Sequence, residues 1–227
     1  MTTAFGLIAK VLARQVPPRA LLFGLLNKLN FLARTGNRRF EFERLYLENP
    51  DPWEFHSSPY ERRKYERTLA CALQWRKASM NALELGCSVG AFSQMLARHF
   101  DAVTALDVSQ EALAAAKRRN GVESNVRFVR GDLRSLDLGT RYDLIVCAEV
   151  LYYLRRSDLE IVCLQLERHL AAGGIVLMVA GVPAGKPDDF YFDAWEDILA
   201  ARFKRIFRET VADPARPYEI VVFSRLD

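Results

Sequence analysis

Glu84, Gly86, Ser88 and Gly90 fall at alternate positions of NALELGCSVGAF, residues 81–92. A short apolar run ends in the acid and the glycines, and a helix-period stretch follows. Glycines at a strand-to-helix turn permit left-handed backbone and let main-chain amides approach a ligand, which is how such turns hold nucleotide cofactors. Carboxylates recur at equivalent places downstream. Asp107 closes AVTALDV, Asp132 follows VRFVR, and Glu149 ends YDLIVCAEV with Tyr152 and Tyr153 just beyond. A carboxylate at the end of a second strand can accept both hydroxyls of a ribose. Glu149, leaving a strand at the ligand-bearing edge, suits contact with an acceptor or removal of its proton. Glu84 lies among apolar neighbours, where an unpaired charge is costly, so a ligand ammonium or loop amides would have to satisfy it. Tyr142 and Asp143 begin their strand at the far end and read as structural. His99 and His169, near helix ends, read as capping or surface residues.

These residues sit in a regular alternation. From residue 81 the chain reads ALELG (strand), AFSQMLARHF (helix), AVTALDV (strand), SQEALAAAKRRN (helix, with Ser109 as cap), VRFVRGD (strand), YDLIVCAEV (strand), SDLEIVCLQLERHL (helix) and GGIVLMVA (strand). Strands alternating with helices predict a parallel sheet covered on both faces, and continuous apolar runs such as LIVC and IVLMV fit strands buried on both sides. After the helix FDAWEDILAAR come FKRIFRETV and YEIVVFSRL, joined by the short turn ADPARP. They predict an antiparallel pair. The fold class expected is therefore α/β: a Rossmann-like, doubly wound, mostly parallel seven-stranded sheet with a C-terminal antiparallel hairpin and N-terminal helices. Three segments are expected: 1–40 as a basic amphipathic helical extension, 41–80 as a helical lid, and 81–227 as the α/β domain. In the lid, Ser58 before Pro59 suits an N-cap with proline in the first turn of the helix ERRKYERTLACALQWR.

Composition narrows the function classes. The 227 residues carry a formal charge of +4, unevenly placed. Lys10, Arg14, Arg19, Lys28, Arg34, Arg38 and Arg39 all lie within residues 1–40, which hold no Asp or Glu. The apolar residues there, Phe5, Ile8, Val11 and Leu12, then Leu22, Leu25, Leu26 and Leu29, fall on helical faces split by VPP. Such a segment is compatible with a solvated face, an acceptor-site cover, a dimer contact or a peripheral membrane foot. Its longest apolar run, ALLFGLL, is far short of the roughly 20 residues that span a bilayer. Cys71, Cys87, Cys147 and Cys163 form no CxxC pair and the histidines are scattered, which argues against a zinc site or disulfide framework and for a reducing, cytoplasmic compartment.

Which cofactor the turn holds depends on Ser88. Aligned on Gly86, the dinucleotide fingerprint G-x-G-x-x-G/A is met only as Gly86-x-Ser88-x-x-Ala91, and a serine at the second position crowds the approach of a pyrophosphate. Read as E-x-G-x-x-x-G, Glu84 to Gly90, the stretch resembles the first motif of class I S-adenosylmethionine-dependent methyltransferases, with Ser88 in place of the middle glycine. The acid after the second strand, RGDL after the third, AEVLYYL after the fourth and LAAGG before the fifth resemble the same class. DPWEFHSSPYERRKYERTL resembles a segment of the nodulation protein S (NodS) type methyltransferases, which N-methylate a chitooligosaccharide amine.

That resemblance implies S-adenosyl-L-methionine as cofactor and S-adenosyl-L-homocysteine as product. It implies cofactor contacts from Glu84, Gly86, Cys87, Ser88, Gly90, Asp107 with Val108, Asp132 with Leu133, Tyr60, Arg63 and Glu149. Arg63 would meet the cofactor's carboxylate and Asp132 the adenine amino group. Trp53, Tyr152 and Tyr153 would line the acceptor site, with Glu149 and Tyr60 as catalytic candidates. The acceptor implied is a small molecule or saccharide, with N-methylation favoured over O-methylation and no metal. A nucleic-acid substrate is disfavoured, because no Asn/Asp-Pro-Pro-aromatic tetrapeptide follows the fourth strand. The competing expectation is a catalytically silent scaffold that binds a membrane or protein partner through residues 1–40.

Overall fold

The structure, a computed structural model, describes residues 39–75, 80–119, 125–182 and 192–226. The helices expected before residue 39 lie outside the described residues. Arg38–Asp227 form one compact unit, so the segment expected as a lid and the sheet share one packed body.

Seven strands form one sheet: β1 (Asn81–Leu85), β2 (Ala102–Asp107), β3 (Val126–Arg130), β4 (Tyr142–Ala148), β5 (Leu170–Gly181), β6 (Phe203–Val211) and β7 (Tyr218–Arg225), in the order β3-β2-β1-β4-β5-β7-β6. β1 pairs in parallel with β2 and β4, β2 with β3, and β4 with β5, whereas β7 runs antiparallel to β5 and β6. The order reverses between β1 and β4, and open α/β sheets bind ligands outside the carboxyl ends of the strands at such a point. The helices are α1 (Arg39–Glu48), α2 (Pro59–Ala72), α3 (Ala91–Ala97), α4 (Gln110–Arg119), α5 (Arg156–His169) and α6 (Phe192–Ala200).

Strand alternation divides the core. Leu83, Leu85, Ile145, Cys147, Val176 and Met178 face one side, under Leu159, Val162 and Leu166 of α5 and Ile198 and Leu199 of α6. Ala82, Leu144, Val146, Ile175 and Leu177 face the other, under Leu69, Cys71 and Ala72 of α2 and Phe92 and Leu96 of α3. Each fully buried Leu, Ile, Val or Phe side chain contributes about 1.5–3 kcal/mol, so the sheet is a stiff platform for the loops at its edge.

Local sequence explains the helix starts. Ser58 caps α2, its hydroxyl accepting from the Glu61 amide, with Pro59 in the first turn. The same helix buries Lys64 and Thr68 among its apolar residues, and Tyr65 stacks on Phe92 at 5.1 Å, so Tyr65 packs the core as helical spacing suggests. One boundary departs from expectation. LAAGG is the first part of β5, and the ladder jumps from Tyr142↔Leu170 to Leu144↔Ile175. Gly173 takes φ 67. A Cβ on Gly174 would lie 3.0 Å from the carbonyl oxygens of Tyr142 and Asp143, so glycine permits this close approach of the two strands.

The far end of the sheet is structural. Asp143 accepts the Asn81 amide at 3.0 Å, and the Tyr142 hydroxyl donates to Thr104 at 3.1 Å. His169 is buried and its ring meets the Gln165 carbonyl at 2.8 Å, so it closes the last turn of α5 and the surface alternative falls away.

Candidate active site

The turn after β1 is held in left-handed backbone, with φ 76 at Gly86, 50 at Ser88 and 75 at Gly90. Gly86 must lack a side chain, because a Cβ there would stand 2.7 Å from Val150 Cγ2. The amides of Gly86 and Cys87 donate to the Leu106 carbonyl, and Gly90 donates back to Cys87, so the turn is tied to the end of β2. Asp107 completes that tie. One carboxylate oxygen accepts the Ser88 amide at 2.8 Å and the other the Ser109 amide at 2.9 Å. Asp107 therefore links the two turns that end β1 and β2, with Val108 between its partners. Burial raises its pKa against these amides. Cys87 is buried against Ala105 and Leu113, and burial pushes its thiol pKa well up.

Glu84, the last but one residue of β1, is only 4% exposed. Its carboxylate accepts the Ser93 hydroxyl from α3, the one hydrogen bond it receives from the described side chains. Burial raises its pKa to about 8, although the Ser93 bond lowers it. A carboxyl so placed, with a single neutral donor, fits a ligand cation: an ammonium would supply the charge and hydrogen bonds it lacks. The left-handed turn and this carboxylate together suit the amino-acid end of S-adenosyl-L-methionine.

Two residues that sequence reasoning passed over close the site from α1. The Tyr46 hydroxyl meets the Ser88 hydroxyl at 2.5 Å, and its ring packs with Val89, Ala112 and Ala115. Glu43 accepts from the Ser109 hydroxyl at 2.6 Å and the Gln110 amide at 2.7 Å, an anion on the first turn of α4. Burial works to raise the Glu43 pKa, but these bonds and Arg130 outweigh it and hold it below the ordinary value. Trp53 joins this corner, edge-on to Tyr46 at 5.6 Å and stacked on Phe55 at 5.7 Å.

Asp132 follows β3, capping the turn that contains Leu133. Its carboxylate accepts from Nε and Nη2 of Arg134, whose bonds lower its pKa. Arg134 also reaches Asp158 of α5 at 3.7 Å. Arg63 is placed differently from the role implied for it. Its guanidinium is given to Asp213 at 3.0 Å, on the turn between β6 and β7, and it is 49% exposed.

At the carboxyl end of β4 and β5 lies a charged cluster. Glu149, with φ 54, accepts Lys64 Nζ at 2.9 Å on one oxygen and the Gly181 amide at 3.3 Å on the other. Burial would raise its pKa, but Lys64, Arg216 and the Gly181 amide win and lower it. Lys64 also meets Glu61 at 2.8 Å. Arg216, from the β6–β7 turn, donates to the Tyr60 hydroxyl and to Glu61, both at 3.3 Å, and its guanidinium lies 4.8 Å from the Tyr60 ring centre. Tyr152 lies beside Glu149, its ring 4.5 Å from that of Tyr153, and Phe42 of α1 packs edge-on to Tyr153 at 5.1 Å. The structure thus brings Glu149, Tyr60, Tyr152 and Tyr153 to one edge, beside the turn that holds Glu84 to Gly90. The signal for Lys64 was present in sequence: a lysine in register with Thr68, Cys71 and Ala72 on the buried face of α2. Among the described residues no group of three His, Cys, Asp or Glu side chains is arranged to hold a metal ion. No described helix is long and apolar enough to cross a membrane.

Sheet order, antiparallel last strand and glycine turn define the class I methyltransferase fold. N-methyltransferase NodS from Bradyrhizobium japonicum WM9, solved in complex with S-adenosyl-L-homocysteine, superposes with a TM-score of 0.72 at 24% identity, over 84% of this chain and 100% of that one. The nodulation protein S family model matches residues 36–177, and the chain belongs to that family. Nodulation protein S of Rhizobium tropici is 37% identical over 125 residues, 55% of this chain and 52% of the relative. That of Bradyrhizobium diazoefficiens is 36% identical over 130 residues, 57% and 58% respectively. The chain thus spans little more than half the length of these curated relatives.

Proposed function

We propose that the chain transfers a methyl group from S-adenosyl-L-methionine to an amine of a small-molecule or saccharide acceptor. The observation that carries this reading is Glu84: a buried carboxylate at the head of a glycine turn, raised to about pKa 8 and bonded to a neutral hydroxyl with no cation beside it among the described residues. The donor supplies a methyl group already activated by sulfonium. Glu84 pairs with its ammonium. Gly86, Cys87, Ser88 and Gly90 bring backbone against it, and Asp107 with Val108 faces the ribose. Asp132, kept ionised by Arg134, offers an acceptor oxygen to the adenine amino group, beside Leu133. Arg63 is committed to Asp213 and is assigned no cofactor contact. At the acceptor edge Tyr60, Tyr152 and Tyr153 wall off water and orient the incoming amine, while Trp53 packs on Tyr46 and Phe55 beside the β1 turn. Placement of this kind accounts for about 7–11 kcal/mol of acceleration in favourable cases.

Family membership supports the amine over the hydroxyl, since a NodS protein of known structure is an N-methyltransferase. The experiment is transfer of a labelled methyl from S-adenosyl-L-methionine to a de-N-acetylated chitooligosaccharide, with its fully acetylated counterpart as control. Label on the free amine alone is expected. Binding of the donor without transfer to either probe or to any amine in a cell extract would overturn the enzymatic reading in favour of a silent scaffold.

A further inference from the structure

Glu149 invites the role of general base, because it stands at the acceptor edge of β4. Its surroundings argue otherwise. Lys64 is 1% exposed and sits between two carboxylates, 2.8 Å from Glu61 and 2.9 Å from Glu149. The second oxygen of Glu149 rests on the Gly181 amide, its own amide donates to the Val179 carbonyl at 2.8 Å, and its backbone is held at φ 54. We infer that Lys64 is a positioning residue, which reaches from α2 to hold the Glu149 carboxylate as a fixed anion seated on the Gly181 amide, so that Glu149 orients an acceptor and does not take its proton. The inference rests on the proposed methyltransferase function only in taking the oriented molecule to be a methyl acceptor.

A buried ammonium is tolerated when it is paired, and removing one partner leaves the other charge uncompensated. The groups facing Glu149 come from three places: Tyr60, Glu61, Lys64 and Tyr65 on α2, Tyr152 after β4, and Arg216 on the β6–β7 turn. Without Lys64, Glu61 and Glu149 share Arg216 as their nearby cation. Two carboxylates in that position cannot both ionise easily, and one proton is retained. Lys64 is therefore what separates a fixed anion from a titrating acid. A consequence for the chemistry is that the amine must arrive as its free base, so the rate follows the acceptor's own ionisation.

The test is a carboxyl-carbon NMR titration of the full chain labelled in its glutamates, with the Glu149 signal identified by its loss in Glu149→Gln. In the unsubstituted protein the signal is expected to stay in its ionised position down to below pH 4.5, the ordinary value. In Lys64→Met the midpoint is expected to rise by at least one pH unit, a tenfold gain in proton affinity, and Lys64→Arg is expected to restore it. A Glu149 midpoint near neutrality in the unsubstituted protein, or one unmoved by Lys64→Met, would overturn the inference. If Lys64→Met does not fold, Lys64→Met/Glu149→Gln removes both charges and is expected to regain stability, and a double variant no more stable than the single one would overturn it equally. Calorimetry with S-adenosyl-L-homocysteine on the unsubstituted chain reads the methyltransferase proposal separately, since the titration of Glu149 requires no ligand.

Discussion

Glu84 carries the most direct link between a residue's energetics and a ligand. Its carboxyl is raised to about 8 by burial, so the folded chain binds this proton more tightly than the unfolded chain does. Ligand-free stability should then fall as pH rises from about 4.5 to about 8, the reverse of the usual carboxylate behaviour. An ammonium ligand needs the ionised form, so binding must expel the proton. At pH well below 8 most of a proton should be released per S-adenosyl-L-homocysteine bound, and the release should fade as pH rises above 8. Calorimetry in buffers of differing ionisation enthalpy measures this directly. Glu84→Gln should abolish the release and weaken binding by at least tenfold, since a hydrogen bond to a charged group contributes about 1.5–3 kcal/mol. Release that persists in Glu84→Gln would place the titrating group elsewhere.

At the scale of elements, α1 connects the β1 and β2 turns from outside the sheet. Tyr46 reaches the first through Ser88, and Glu43 reaches the second through Ser109 and the start of α4. Tyr46→Phe should cost about 0.5–1.5 kcal/mol, the net value of one hydrogen bond, and weaken S-adenosyl-L-homocysteine by several-fold while the circular dichroism spectrum stays the same. The Glu43 pKa is lowered on folding, so its contribution is present above the ordinary value of 4.5 and is lost as pH falls through the folded value. Loosening of α1 should therefore appear as protection factors in residues 39–48 that fall on acidification, once the slower intrinsic exchange at low pH is divided out. Neither contact was legible in sequence, because Tyr46 and Ser88 are separated by 42 positions and no local pattern pairs them. The strand-turn-helix around Gly86 was legible, because glycine spacing and apolar runs are local signals. The antiparallel β6–β7 pair was legible too, from two apolar runs with a short proline-containing turn. LAAGG misled because the residues before a glycine pair read as a turn, whereas here Leu170 to Ala172 open β5 and the pair lets it pass close to the β4 carbonyls.

For the molecule as a whole, the two-faced core fixes where solvent can reach. Cys71, Cys87, Cys147 and Cys163 are all free and buried. Burial pushes Cys71 and Cys163 up to about 11, and Cys87 and Cys147 also upward. A thiol reagent at pH 8 should therefore label none of them in the folded protein and all of them after denaturation. Rapid native labelling of Cys87 would mean that the glycine turn is open to solvent at Ala105 and Leu113. The fold class was readable because the alternation of strands and helices runs the length of residues 81–181. The acceptor edge was only half readable: Glu149, Tyr152 and Tyr153 follow a strand, but Lys64 and Arg216 reach them from distant elements.

The central claim is that the turn from Glu84 to Gly90 holds the adenosyl methyl donor. Equilibrium titration of the chain with S-adenosyl-L-homocysteine and, in parallel, with NAD tests it. Saturable micromolar-range binding of the former, with no heat from the latter, is the predicted result. No binding of S-adenosyl-L-homocysteine or S-adenosyl-L-methionine, or NAD bound in their place, would contradict the account.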